Sequence, residues 1–131
     1  MIGLDTNVLV RFITADDRRQ SDQAARFIES RCSPDQPGFI NRVALCELVW
    51  VLSGGHGYER KNIAEVIAAL LDSRDLLVED ADSVHTALKL YRTARIDLAD
   101  ALIAQVNLAH GCEATATFDR RAAKSPGFVL V

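Results

Sequence analysis

Residues 1–9, Met-Ile-Gly-Leu-Asp-Thr-Asn-Val-Leu, bring an apolar run and a helical pattern together at one acid, Asp5. The apolar run predicts a buried strand over residues 1–5, and the spacing of the apolar residues after it predicts a short helix over residues 7–14. Ligands of open α/β sheets bind outside the carboxyl ends of parallel strands. Asp5 is therefore a candidate functional residue, and N-capping of the helix by Asp5 or Thr6 is the alternative.

The composition is that of one globular domain over residues 1–131, with 49% hydrophobic and 25% charged residues. No apolar run approaches the ~20 residues that span a bilayer, and no basic leader precedes an apolar stretch. Three widely spaced cysteines indicate free thiols in a reducing compartment. We therefore expect a cytoplasmic protein without membrane contact. Because the net charge is −3, binding of nucleic acid would need local basic residues or metal ions that bridge acids to phosphates.

The order of the predicted elements indicates an α/β fold. Strands are predicted over residues 1–5, 38–41, 76–78, 114–118 and 128–131. Helices are predicted over residues 7–14, 21–32, 42–53, 60–72, 82–94 and 98–110, with a charged turn at residues 16–19. Asn41 and Asp97 are expected as N-caps and Gly111 as a left-handed C-cap. This alternation predicts a mostly parallel central sheet of about four to five strands with helices on both faces, and residues 60–94 as a helix-rich insertion.

Four acids from separate segments are predicted to meet at one edge of this sheet. Asp5 and Asp119 directly follow strands. Asp100 lies in the first turn of a helix that leads back to a strand, and Glu47 lies about 9 Å into its helix at ~1.5 Å per residue. Three of them have simple alternatives. Asp5 can cap the next helix, Asp100 can favour the helix dipole, and Asp119 can be a turn acid with local partners.

Glu47 has the weakest structural alternative. The helix over residues 42–53 is apolar almost all round, which predicts that it is buried. A buried acid must be paired, neutral or bound to a cation, and Val43 and Val51 occupy the i±4 positions of a helical partner. Ionised carboxylates that meet favour a divalent cation, and ligation by oxygen alone is typical of Mg²⁺ or Mn²⁺. The histidines lack the spacing of zinc sites.

Four short motifs in this order resemble the acidic motifs of PIN-domain ribonucleases, and among these the VapC-type toxins of bacterial toxin–antitoxin pairs. The motifs are Asp5-Thr6-Asn7, residues 44–52, residues 97–104 and Thr117-Phe118-Asp119. The resemblance covers essentially the whole chain. It implies a PIN-like three-layer α/β/α domain with Mg²⁺- or Mn²⁺-dependent endoribonuclease activity. It also implies a homodimer and a VapB-type antitoxin that holds the enzyme inactive.

The resemblance also implies roles for individual residues. It places Asp5, Glu47 and Asp100 at the central metal positions and Asp119 at a fourth, more variable one. Asp97 stays open between a helix cap, which we favour, and a further metal ligand.

Residues around the four acids have supporting roles in this interpretation. Thr6, Asn7 and Thr117 are predicted to donate hydrogen bonds that hold the carboxylates in place. Arg42 and Arg120, next to motif residues, are the first candidates for binding the RNA, which offers anionic phosphates.

Two other functions fit part of the same pattern. A receiver-type signalling domain also carries acids and Mg²⁺ at strand ends, but it needs an adjacent pair of acids after the first strand, where this chain has Thr6 and Asn7. A catalytically silent PIN-like scaffold that binds protein or RNA is the main alternative. The presence of all four acids argues against it.

Overall fold

Strands of two or three residues alternate with longer helices along the whole chain. In the computed structural model, which describes residues Met1–Val131, the strands are β1 (Ile2–Gly3), β2 (Gly38–Ile40), β3 (Leu76–Val78), β4 (Thr115–Thr117) and β5 (Phe128–Leu130). The helices are α1 (Thr6–Thr14), α2 (Arg18–Arg31), α3 (Arg42–Gly55), α4 (Arg60–Asp72), α5 (Ala81–Thr93) and α6 (Leu98–Ala109), with a 3-10 turn at Ala122–Lys124. These elements form two compact units, Met1–Ala81 and Asp82–Val131.

The first unit is built on a parallel sheet with the strand order β1-β2-β3. Each connection between neighbouring strands is a pair of helices, as parallel pairing requires a crossover. Its core consists of fully buried aliphatic side chains from the helices and from the central strand: Leu9, Ile40, Leu45, Leu48, Leu52, Ile63 and Ile67.

Gly38 allows β2 to lie between its neighbours. A Cβ atom at this position would lie 2.9 Å from Cys32 Sγ and 2.9 Å from Leu4 Cδ1. Such a distance is far inside van der Waals contact, so with any side chain at this position either β2 or the side chains of Cys32 and Leu4 must shift. The glycine therefore allows the close packing around the strand that ends next to α3.

The second unit contains α5 and α6 and pairs β4 with β5 in parallel, and α6 contacts β4. Its core includes the buried residues Val84, Ala87, Leu98, Ala101 and Ala104. Asn107 Nδ2 on α6 donates to Thr115 Oγ1 on β4 over 2.9 Å, which ties the helix to the strand that it precedes.

The predicted α/β fold and its order of elements are confirmed. Every strand pair is parallel, and the five strands divide into hydrogen-bonded sheets of three and two. Asn41 is the N-cap of α3, as predicted, because its Oδ1 accepts from the Ala44 N–H over 2.8 Å. Gly111 has the predicted left-handed conformation, with φ 88°. No helix has both the length and the hydrophobicity needed to cross a bilayer.

Two predictions about individual helices are wrong. The charged turn at 16–19 is shorter than predicted, because Asp17 caps α2 through the Gln20 N–H and the helix starts at Arg18. Helix α3 is not buried all round: Val43 and Trp50 are each 76% exposed. Helices α1 and α4 contact α3, and the side of α3 that carries Val43 and Trp50 stays exposed.

Candidate active site

Asp5 lies where β1 ends and α1 begins. Its backbone is extended (φ −79°, ψ 158°), and its Oδ1 accepts from the Thr6 N–H over 2.8 Å. The N-cap role considered for Asp5 is therefore real. Only one carboxylate oxygen takes part in it, and the side chain is exposed. Capping fixes the orientation of this carboxylate and leaves it accessible to a ligand.

Asp5 and Glu47 line the same surface cavity of about 330 Å³, together with Asn41 and the first turn of α3. The cavity lies at the carboxyl ends of β1 and β2, the edge at which α/β sheets bind ligands. The structure thus brings together two of the four predicted acids. Glu47 reaches this cavity from α3 because it lies one helical turn after Val43, which lines it as well.

The prediction that Glu47 is a buried acid is wrong. Glu47 is exposed, on the same side of α3 as Val43 and Trp50, so its charge needs no buried partner. What supports Glu47 as a functional residue is its position beside Asp5 in one cavity.

A second group of acids lies in the second unit. Asp100 is half-buried in the first turn of α6. Burial raises the pKa of its carboxyl group above the ordinary value, and the negative charges of Asp97 and Asp119 raise it further. Asp97 and Asp119 are therefore each near enough to repel the carboxylate of Asp100. Two segments of the unit contribute to this group: the start of α6 with its N-cap residue, and the turn after β4.

Asp97 occupies the N-cap position of α6, with extended backbone angles (φ −64°, ψ 145°). Its side chain nevertheless makes no capping hydrogen bond to the helix. Asp97 is therefore the predicted N-cap residue by its position, although the side-chain hydrogen bond of a cap is absent. Its carboxylate acts on Asp100 electrostatically instead.

Asp119 is held by the turn that follows β4. Its Oδ1 accepts from the backbone N–H groups of Arg121 (2.8 Å) and Ala122 (3.2 Å). Its own N–H donates to Thr117 Oγ1 over 3.0 Å. The local role considered for Asp119 is thus real, and it uses one oxygen of an exposed carboxylate.

The predicted supporting residues act differently from one another. Thr6 is buried and holds Asp5 through its backbone N–H. Thr117 holds the backbone of Asp119, not its carboxylate. Asn7 forms no hydrogen bond with Asp5 and lines a separate cleft between α1 and α2.

The two predicted RNA-binding arginines have different surroundings. The guanidinium of Arg42 lies 3.4 Å from Glu79 and 3.5 Å from Asp80, so its charge is already paired. Glu79 Oε1 also accepts from the Arg42 N–H over 2.9 Å. Arg120 is exposed and takes part in none of the ion pairs of the structure. Sequence reasoning missed the role of Glu79, although two adjacent acids after a predicted strand were a visible signal.

The acids fit a hard divalent cation by their chemistry. All are oxygen donors, and the repulsion around Asp100 is what a cation would relieve. No group of three or more histidine, cysteine, aspartate or glutamate side chains is arranged to hold a metal ion. Mg²⁺, however, usually retains several waters and takes one or two carboxylates. The pair Asp5 and Glu47 and the group around Asp100 are both large enough for that mode of binding.

The fold and the acids together define the class of protein, an acidic α/β domain. Its strands are parallel, carboxylates lie in the turns after them, and further acids lie on the helices. Residues 2–127 match the family model of the PIN domain, so the chain belongs to the PIN domain family. A similar protein is a VapC ribonuclease of Aquifex aeolicus (strain VF5), which is 28% identical over 128 residues. The match covers 98% of this chain and 93% of that protein.

Proposed function

We propose that this protein is an Mg²⁺- or Mn²⁺-dependent endoribonuclease, which hydrolyses RNA phosphodiester bonds as the toxin of a type II toxin–antitoxin system. The main structural support is Asp100, whose pKa is raised first by burial and then by the negative charges of Asp97 and Asp119. Carboxyl groups with perturbed pKa values that lie next to other acids cluster at functional sites. Membership of the PIN domain family and the similarity to a VapC ribonuclease point to the same activity.

The proposed metal ligands are Asp5, Glu47, Asp100 and Asp119. A divalent cation, when bound, lowers the pKa of a water molecule and stabilises the leaving oxygen of a phosphodiester. The chain contributes oriented carboxylates: the Thr6 N–H fixes Asp5, and the turn after β4 fixes Asp119. In this proposal, Asp97 or Asp119 accepts a hydrogen bond from the attacking water and takes its proton.

The toxin role adds three expectations. A VapB-type antitoxin binds the protein and blocks the acids, the site of action is the cytoplasm, and the active form is a homodimer. Support for the dimer comes from α3, where Val43 and Trp50 expose large apolar surfaces. Both residues lie on the same side of α3, and exposed apolar side chains are typical of protein–protein contacts.

Cleavage of a labelled RNA tests the proposal directly. Wild-type protein with Mn²⁺ should cut the RNA, and EDTA should stop the reaction. Asp5→Asn and Asp100→Asn should each lower the rate by at least 100-fold, because each replaces a negatively charged ligand by a neutral amide. Asp35→Asn, in the exposed loop before β2, removes the same charge far from the acids in sequence and should cleave like wild type.

The catalytically silent scaffold makes the opposite prediction. A scaffold would bind an RNA or protein partner without any metal-dependent cleavage, and Asp5→Asn would leave that binding unchanged. Equal rates for wild type and both site variants would contradict the assignment of the acids, even if RNA were degraded.

A further inference from the structure

Helix α2 carries an exposed arginine cluster that the proposed mechanism does not use. Arg18, Arg19 and Arg26 line a groove of about 510 Å³ together with Asp22 and Gln23. All three arginines are exposed, and none takes part in the ion pairs of the structure. In a chain with a net charge of −3, this groove is a local concentration of positive charge.

A second hollow begins where the groove ends. The cleft between α1 and α2 has a volume of about 530 Å³ and shares Gln23 with the groove. Its lining combines amide groups (Asn7, Gln20), a guanidinium (Arg11) and an aromatic ring (Phe27). Side chains of these types recognise the edges and faces of unpaired nucleobases.

We propose that the groove and the cleft form one binding surface for single-stranded RNA. In the groove, guanidinium groups pair with consecutive phosphates, for which their planar donor geometry is suited. In the cleft, one unstacked base lies against the part of the Phe27 ring that the Arg31 guanidinium, 5.5 Å from the ring centroid, leaves uncovered. Gln20 and Gln23 form hydrogen bonds with the edge of this base. This inference rests on the proposed function, because it names the path by which the substrate of the nuclease is held.

The position of the surface supports this assignment. Asn7, which lines the cleft, follows the proposed catalytic residue Asp5 by two positions in the chain, so the surface starts beside the end of β1. An acidic protein segment would need only the arginines, which pair with its carboxylates. The amide groups and the aromatic ring of the cleft have a use only if the ligand carries bases, so they favour RNA.

Binding of a fluorescent 12-nucleotide RNA, measured by anisotropy in EDTA, separates binding from cleavage. The groove variant Arg18→Gln/Arg19→Gln/Arg26→Gln should bind at least 10-fold more weakly at low salt. The slope of log affinity against log salt concentration should fall by about 2, because three phosphate contacts at about 0.7 each are lost. Glutamine retains the helix propensity of arginine, so α2 should remain intact.

A matched variant controls for bulk charge. Arg74→Gln/Lys89→Gln/Arg92→Gln removes three exposed positive charges outside the groove and should change the affinity by no more than twofold. If both triple variants weaken binding equally, attraction is general and the groove is not the binding surface. An acidic peptide of equal charge that competes as well as RNA would also overturn the proposal, in favour of a protein partner.

Removal of bases from the RNA tests whether the cleft binds a base. RNA that carries abasic sites should bind wild type at least fivefold more weakly than intact RNA. Gln23→Ala, at an exposed position, and Phe27→Leu should reduce this preference without a change in the salt slope. Thermal unfolding shows whether Phe27→Leu is folded, and Gln23→Ala keeps the test valid if it is not. Equal binding of abasic and intact RNA would refute the base contact.

Failure of the proposed function has a different signature. If wild type binds RNA through the groove but never cleaves it with Mn²⁺, the nuclease proposal fails and the binding surface stands. If wild type cleaves RNA and the groove variant binds and cleaves equally well, the binding surface is wrong and the nuclease proposal stands.

Discussion

The carboxylate of Asp100 should destabilise the metal-free protein at neutral pH. Its pKa in the folded state is raised, so the folded protein binds the Asp100 proton more tightly than the unfolded chain. Stability from such a group is present at low pH and is lost as the pH rises through the folded pKa. At pH 7 the ionised group therefore lowers the free energy of unfolding. Asp100→Asn removes the charge and should make the metal-free protein more stable.

The expected gain is small because Asp100 is only half-buried and water screens its neighbours. Interactions between such partly exposed charges are worth about 0.5–1 kcal/mol. For 131 residues the entropy of unfolding is about 0.28 kcal/mol/K, so the melting temperature should rise by about 2–4 °C. The gain should disappear as the pH falls below 3.8, the ordinary pKa of an aspartate, because Asp100 is then protonated in both states.

A divalent cation should make wild type more stable than Asp100→Asn, the reverse of the order in the metal-free protein. Binding at ten times the dissociation constant stabilises wild type by about 1.4 kcal/mol, whereas a variant without this ligand gains little. Differential scanning fluorimetry at pH 7, with EDTA or with Mn²⁺, measures both effects. Glu113→Gln is the control, since Glu113 is an exposed acid of the same unit outside the group. Two results would contradict this prediction: an Asp100→Asn protein that is less stable than wild type in EDTA, or one that Mn²⁺ stabilises as much as it stabilises wild type.

Three further predictions concern the fold and the assembly. Gly38→Ala should lower the free energy of unfolding by about 1–3 kcal/mol in urea denaturation, because the new Cβ overlaps Cys32 and Leu4; an unchanged midpoint would mean that β2 can move freely. Asn41→Ala should cost about 1 kcal/mol by the same measurement, through loss of the cap on α3, and Asn41→Asp should retain most of it. Trp50→Glu should convert the proposed dimer to a monomer in light scattering, without loss of helix content; a Trp50→Glu protein of unchanged mass would exclude this face.

Features that depend on neighbouring residues in the sequence were predictable. The bounds of α4 match the prediction because its apolar stripe is regular and non-helical residues flank it. The Asn41 cap and the Gly111 conformation follow from side-chain chemistry and backbone freedom at single positions. The positions of Asp5 and Asp119 directly after strands were also predictable, because they depend only on where the neighbouring apolar residues end.

Features set by distant segments were not predictable. An apolar helix pattern does not reveal which side the rest of the protein covers, so the exposure of Glu47 was missed. The partners of Arg42 come from residues 37 and 38 positions away, after a different strand. The common arrangement of all four acids on one metal, which the sequence also predicts, stays a prediction until it is tested by cleavage and metal binding.

Capping and metal binding, which the sequence presents as alternatives, are compatible roles for the same carboxylate. Asp5 and Asp119 each use Oδ1 to accept backbone N–H groups at the start of a helical turn. Because those donors belong to the backbone, they fix the carboxylate without any second side chain, and one oxygen stays available. A carboxylate fixed in this way loses little conformational entropy on binding a cation. A substitution that retains the cap but removes the charge, such as Asp5→Asn, therefore separates the structural role from the proposed catalytic one.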